Sequence, residues 1–116
     1  MLVCGVCGKE LVLRLDADFS ASGVWCNHCG VGFGNPKEAF PEIPPGLFDL
    51  AEGWNLLWEC ANDDESKLVK KNVFELLLSM GQQLKLLFEE YCPCTLRIYD
   101  WIDGKWAYYE GDQNAL

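Results

Sequence analysis

Cys4-Gly5-Val6-Cys7-Gly8 is repeated in kind at Cys26-Asn27-His28-Cys29-Gly30, and eighteen residues separate Cys7 from Cys26. Two CxxC pairs with an insert of roughly 15–20 residues form a metal-site signature. A CxxC turn brings two sulfurs to one point, and two such turns supply the four ligands of a tetrahedral ion. Gly8 and Gly30 each follow the second cysteine of a pair. Without a Cβ, glycine lets the backbone curl under the metal with φ > 0. Cys4, Cys7, Cys26 and Cys29 are therefore the expected ligands of one ion.

The rest of the composition narrows the partners. The chain has 116 residues, one domain's worth, with 9 basic and 18 acidic side chains and a formal charge of −9. Four thiolates with one divalent cation add a net −2, taking the loaded chain to about −11. Nucleic acid is a poor match for that sum, because phosphate contacts need clustered Lys and Arg. Lys67, Lys70 and Lys71 are the nearest approach to such a cluster and read as solvated first turns of a helix. Seven cysteines could suggest a disulfide scaffold. The paired spacing is metal-like instead, and charge and glycine interrupt the N-terminus where a signal peptide would be apolar. No run of about 18 apolar residues exists, so no membrane span is expected. A reducing cytoplasm fits thiolates kept for metal.

Around the knuckles the pattern is β. Leu11, Leu13 and Leu15 alternate with Val12 and Arg14 at period two. Asp16 to Gly23 is polar and small, a loop; Val24-Trp25 enters the second knuckle and Val31-Gly32-Phe33 leaves it. Two CxxCG knuckles on short β-hairpins resemble the zinc ribbon over about residues 1–35. That resemblance implies a structural zinc ion but no single job, since zinc ribbons serve many functions. The knuckles also resemble those of rubredoxin, an iron electron-transfer protein. Rubredoxin-type second knuckles usually carry proline where this chain has Asn27, and their insert is longer. Zinc is preferred over iron. His28, the only histidine, reads as a solvent-facing knuckle residue, because four cysteines already close the metal shell.

Pro36, Pro41, Pro44 and Pro45 make residues 36–46 a connector in which regular structure is not expected. Phe40 and Ile43 would pin it to the body. Residues 47–61 predict a helix with Leu47, Leu50, Ala51, Trp54, Leu57, Trp58 and Ala61 on one stripe and Asp49, Glu52, Asn55 and Glu59 elsewhere. Gly53 weakens its interior and would admit a close neighbour. Asn62-Asp63-Asp64 breaks the pattern and offers caps to a second helix over residues 64–91, whose positive end the acids Asp63, Asp64 and Glu65 would favour. Val69, Val73, Leu76, Leu77, Met80, Leu84, Leu87, Phe88 and Tyr91 form its stripe. At that length it would run about 42 Å, long enough to overhang. Phe74, Leu78 and Leu86 widen its apolar arc, so a homodimer through this helix is an expectation.

Cys92-Pro93-Cys94 stops the helix. Thr95–Ile102 and Lys105–Glu110 read as a hairpin closed by a two-residue Asp103-Gly104 turn. That register sets Trp101 opposite Trp106 and Tyr99 opposite Tyr108. The Trp-Ile-Asp-Gly-Lys-Trp run resembles designed tryptophan-zipper hairpins over six residues. The other face, Leu96, Ile98, Ile102, Ala107 and Tyr109, would pack on the helices. The four aromatics would stay partly exposed as a partner-binding face. Residues 112–116 would fray. Cys60, Cys92 and Cys94 are left over, with Cys60 expected far from the other two. Cys92 and Cys94 could act as a redox pair, against the alternative of small buried hydrophobes.

The expected architecture is α+β: an N-terminal zinc ribbon over 1–35, the connector over 36–46, and a rear unit over 47–111 made of an antiparallel two-helix hairpin and a C-terminal β-hairpin. No Ser–His–Asp set and no phosphate-cradling glycine loop can be assembled, so no enzyme is expected. The functional expectation is a small acidic protein-binding adaptor or regulator with a structural zinc ion and a partner of basic character. The alternative is a rubredoxin-like or dithiol redox protein.

Overall fold

The computed structural model describes residues 1–63 and 67–110, with backbone alone for 67–70. The protein is α+β. Its elements in chain order are β1 (Leu13–Asp16), β2 (Val24–Cys26), α1 (Pro36–Ala39), α2 (Pro45–Asp63), α3 (Lys67–Phe88), β3 (Cys94–Asp100) and β4 (Lys105–Tyr109).

One four-stranded sheet in the order β2-β1-β3-β4 runs through the whole molecule. β1 pairs antiparallel with β2, setting Leu13 opposite Cys26. It pairs parallel with β3, setting Leu13 opposite Cys94 and Leu15 opposite Leu96. A parallel pair needs a crossover, and α2 and α3 supply it. The expected front and rear units therefore share their central hydrogen bonds, which sequence reading did not foresee.

The alternation of β1 does what its period implies. Leu11, Leu13 and Leu15 are fully buried with Leu96 and Ile98 on one face of the sheet. Trp54, Trp58, Leu77 and Phe88 cover that face from the two helices. Burying a large apolar side chain contributes about 1.5–3 kcal/mol each, so this layer dominates stability. The indole of Trp54 donates to the Leu77 carbonyl at 2.9 Å, and that of Trp58 to the Tyr99 carbonyl at 2.6 Å.

Several expected details differ. The connector is not irregular: Pro36 opens α1 and Pro45 opens α2, positions where proline's missing N–H costs nothing. Phe40 and Ile43 do pin it, both buried. Helix α2 continues through Asn62 and Asp63 rather than breaking before them. The start expected for the next helix at Asp64, and the tail at 112–116, lie outside the described residues. Helix α3 ends at Phe88, and its 22 residues span about 33 Å. That is shorter than the 43 Å longest axis of the molecule.

Leu50 of α2 and Leu76, Leu87 and Tyr91 of the expected α3 stripe are exposed, and so is Leu86. Asn55, placed on the outer face by periodicity, is fully buried. It accepts the Asp18 N–H at 2.9 Å and donates to the Asp18 carbonyl at 2.8 Å, which is what makes its burial affordable. Gly53 meets nothing within 4 Å, while a Cβ at Gly81 would lie 2.9 Å from Leu96 Cδ1. The close approach of helix to sheet is at Gly81.

The C-terminal hairpin also closes differently. Asp100 pairs with Lys105 and Tyr99 with Trp106, and a bulge between Ile98 and Tyr99 shifts the register. The loop is four residues, Trp101 to Gly104. Its form is set by Asp100, whose carbonyl accepts the Gly104 N–H at 2.7 Å and whose carboxylate accepts the Asp103 N–H at 3.1 Å. Trp101 therefore does not face Trp106.

Candidate metal centre

The two knuckles are built as copies of one loop. The Cys4 N–H donates to the Lys9 carbonyl at 3.0 Å, and the Cys26 N–H to the Val31 carbonyl at 2.9 Å, each five residues on. The Gly8 N–H returns to the Cys4 carbonyl and the Gly30 N–H to the Cys26 carbonyl, both at 2.9 Å. Gly8 and Gly30 sit at φ +73° and +76°, the left-handed conformation that only glycine adopts freely. Bridges between Val3 and Glu10, and between Trp25 and Gly32, complete a short hairpin under each turn.

These loops bring all four sulfurs of Cys4, Cys7, Cys26 and Cys29 within 4.8 Å of one another. Cys4 Sγ and Cys29 Sγ are 3.9 Å apart, as are Cys7 Sγ and Cys26 Sγ. Ligands about 2.3 Å from a tetrahedral centre stand about 3.8 Å apart, so the spacing fits one ion. Cys4 and Cys26 are buried, Cys7 is half-buried and Cys29 is exposed. Four thiolates fill a tetrahedral shell and leave no position for water or substrate.

Without a cation the Cys4 and Cys29 thiols are shifted in opposite directions. Burial opposes the thiolate at Cys4, but the N–H groups of Cys7 and Val6, with help from the Cys26 and Cys7 thiols, bring it down to about 7. At Cys29 the Val31 N–H favours the thiolate, yet desolvation and the other three thiols push it up to about 11. A divalent ion reverses that conflict, because each thiolate then faces positive charge.

The leftover cysteines stay apart from this centre. Among the described residues the four knuckle cysteines are the one group gathered as metal ligands. Cys60 is exposed on α2, whereas Cys92 and Cys94 are buried. Burial pushes the Cys92 thiol up to about 11. It pushes Cys94 up further, aided by the charges of Cys92 and Glu89. A reactive thiol needs its pKa lowered, so both cysteines have the character of small buried hydrophobes. His28 is exposed in the second knuckle, as expected.

The four aromatics expected to share a face are split. Tyr99 and Trp106 meet edge to face with centroids 5.0 Å apart, on the sheet side turned away from the helices. The Arg97 guanidinium lies 4.8 Å from the centre of the Trp106 ring, and Arg97 Nε donates to Asp16 at 2.7 Å. Arg14 stands over Trp25 at 5.9 Å, so one buried carboxylate lies between two arginines and two tryptophans. Burial raises the Asp16 carboxyl above its ordinary value, outweighing Arg97 and Arg14. Tyr108 pairs with Ile98 and packs on the core instead.

Trp101 is 64% exposed at the head of the loop. It meets Phe19, with ring centroids 5.8 Å apart at 88°, and Phe19 in turn meets Trp58 at 4.9 Å. Phe19 went unnoticed in the sequence; a lone aromatic inside the polar run from Asp16 to Gly23 was the available signal. None of the helices among the described residues is long and apolar enough to cross a membrane. Comparison with protein-family models, with curated proteins and with solved structures gives no match for this chain.

Proposed function

We propose that this is a small zinc-stapled adaptor or regulator that binds another protein in a reducing, cytoplasmic setting. Zinc is the favoured ion because Asn27 stands where rubredoxin-type knuckles carry proline. A closed tetrathiolate shell suits a structural ion rather than a catalytic one. The observation that carries the binding role is the Trp101 corner. A bulky aromatic is held at the surface by the Phe19 ring and by the Asn62 side chain, which accepts the Trp101 N–H at 2.8 Å. Exposed, pre-ordered Trp and Tyr side chains are favoured anchors at protein interfaces. The charge of −9 favours a basic partner.

The test is capture from native lysate with zinc-loaded protein, beside a Phe19→Ser/Trp101→Ala variant that keeps its zinc. Loss of the same partners from the variant, with recovery falling as salt rises, supports the reading. Identical partners on both proteins would sink the Trp101 corner as the docking site. The redox alternative gains nothing from Cys92 and Cys94, whose burial opposes thiolate formation.

A further inference from the structure

A groove of about 740 Å³ opens beside the second knuckle. Trp25, Phe33 and Phe48 give it an aromatic lining, and Glu52, Leu56 and Glu59 of α2 form one wall. Those three fall on a single helical stripe, since they are spaced four and three residues apart. Leu56 is 54% exposed there. The wall thus reads acid, apolar, acid, and its two carboxylate positions are about 10.5 Å apart along the helix.

The surrounding charge is one-sided. Helix α2 holds Asp49, Glu52, Glu59 and Asp63 and not one basic residue in its 19 positions. Lys37 is the one cation lining the groove among the described residues, and it is already engaged by Asp49 at 2.5 Å. Glu59 accepts the Ser20 N–H at 2.5 Å, a contact that orients its carboxylate without neutralising it. Glu59 and Asp63 also stand toward the helix C-terminus, where the backbone dipole disfavours negative charge. An incoming cation would relieve that conflict.

We propose that this groove binds an extended basic segment of a partner protein, in which two Lys or Arg residues three positions apart flank an apolar residue. In a polyproline-II-like extended chain three residues make one turn and advance about 9 Å, so two basic side chains three positions apart return to one face near the Glu52-to-Glu59 span. One basic side chain meets Glu52 and the other Glu59, while the apolar residue covers Leu56 and the long basic stems lie along Trp25 and Phe33. The inference rests on the protein-binding reading above and gives that partner a local chemistry. Neither Trp101 nor Phe19 lines the groove, although Ser20, next to Phe19 in the chain, borders both surfaces.

The experiment is fluorescence anisotropy with the zinc-loaded full chain and a labelled nine-residue peptide carrying Arg-Ala-Leu-Arg at its centre. A control peptide has the same composition with the two arginines adjacent and the leucine at one end. Tighter binding of the first peptide is expected, together with at least a tenfold loss in a Glu52→Gln/Glu59→Gln variant and no loss in Glu75→Gln. Equal binding of both peptides, unchanged binding by the double variant, or no binding of either at low salt overturns the proposal. Phe19→Ser/Trp101→Ala is the separating arm. If that variant keeps its lysate partners but binds the peptide normally, the Trp101 reading falls and the groove stands; the reverse pattern removes the groove alone.

Discussion

Asn62 ties the end of α2 to the loop after β3. Its Oδ1 accepts the Trp101 N–H at 2.8 Å, and its Nδ2 donates to the Trp58 carbonyl at 3.0 Å. Asn62 is buried, so both polar atoms depend on these partners. Replacing it by leucine leaves the Trp101 N–H without its acceptor. Asn62→Leu is expected to cost about 1–3 kcal/mol, read from the urea midpoint, and to speed hydrogen exchange at the Trp101 amide. An unchanged Trp101 exchange rate would contradict the role given to this contact.

Loss of one sulfur should open the metal centre and unsettle the sheet together, because Cys26 is both a candidate ligand and the partner of Leu13 across β1 and β2. Purified protein should carry about one colourless zinc ion per chain. Cys26→Ser should carry far less and lose amide protection at Gly30 and Phe33, whose N–H groups bond to the Cys26 and Val24 carbonyls. Full protection there in metal-free protein would remove the structural role of the ion.

Thiol chemistry separates the leftover cysteines. With Cys92 raised to about 11, about one thiol in a thousand is ionised at pH 8, and Cys94 is raised further. A disulfide reagent added to zinc-loaded protein should modify exposed Cys60 quickly, and Cys92 and Cys94 only on unfolding. Fast, reversible oxidation of the Cys92/Cys94 pair would restore the dithiol alternative.

Two glycines should respond in opposite directions. Gly53 has open space around it, so Gly53→Ala should stabilise α2 by about 1 kcal/mol. At Gly81 the new methyl group would press on Leu96 at 2.9 Å and on Trp54 at 3.3 Å. Overpacking costs about 1–3 kcal/mol, which exceeds the gain in helix propensity. Gly81→Ala should therefore lower the thermal midpoint while Gly53→Ala raises it.

Local chemistry was legible in the chain. Each CxxCG turn, the Leu11-Leu13-Leu15 alternation and the Trp54 and Trp58 positions on α2 are short-range patterns, and each has the place its period implies. What escaped was long-range or polar. Nothing near Asp16 announces that it will pair with Arg97, 81 residues away. The Trp101–Trp106 pairing failed because an Asp-Gly turn signal was outcompeted by Asp100, whose carbonyl and carboxylate hold a longer loop. Asn55 reads as an outward-facing residue and Asn62 as part of a helix break, because residue type says nothing of a waiting backbone partner. Leu76 and Leu87 fall on the apolar stripe by period yet are exposed, because α2 and the sheet together leave part of the α3 surface uncovered.

The parallel pairing of β1 with β3 has a consequence for biosynthesis. Both cysteine loops are synthesised before α2, α3 and β3 and can capture their ion ahead of them. The strand that completes the centre of the sheet, from Cys94, arrives only after both long helices. Nascent chains halted before Cys94 would thus hold metal yet leave one edge of β1 bare, a state open to chaperones or to mispairing.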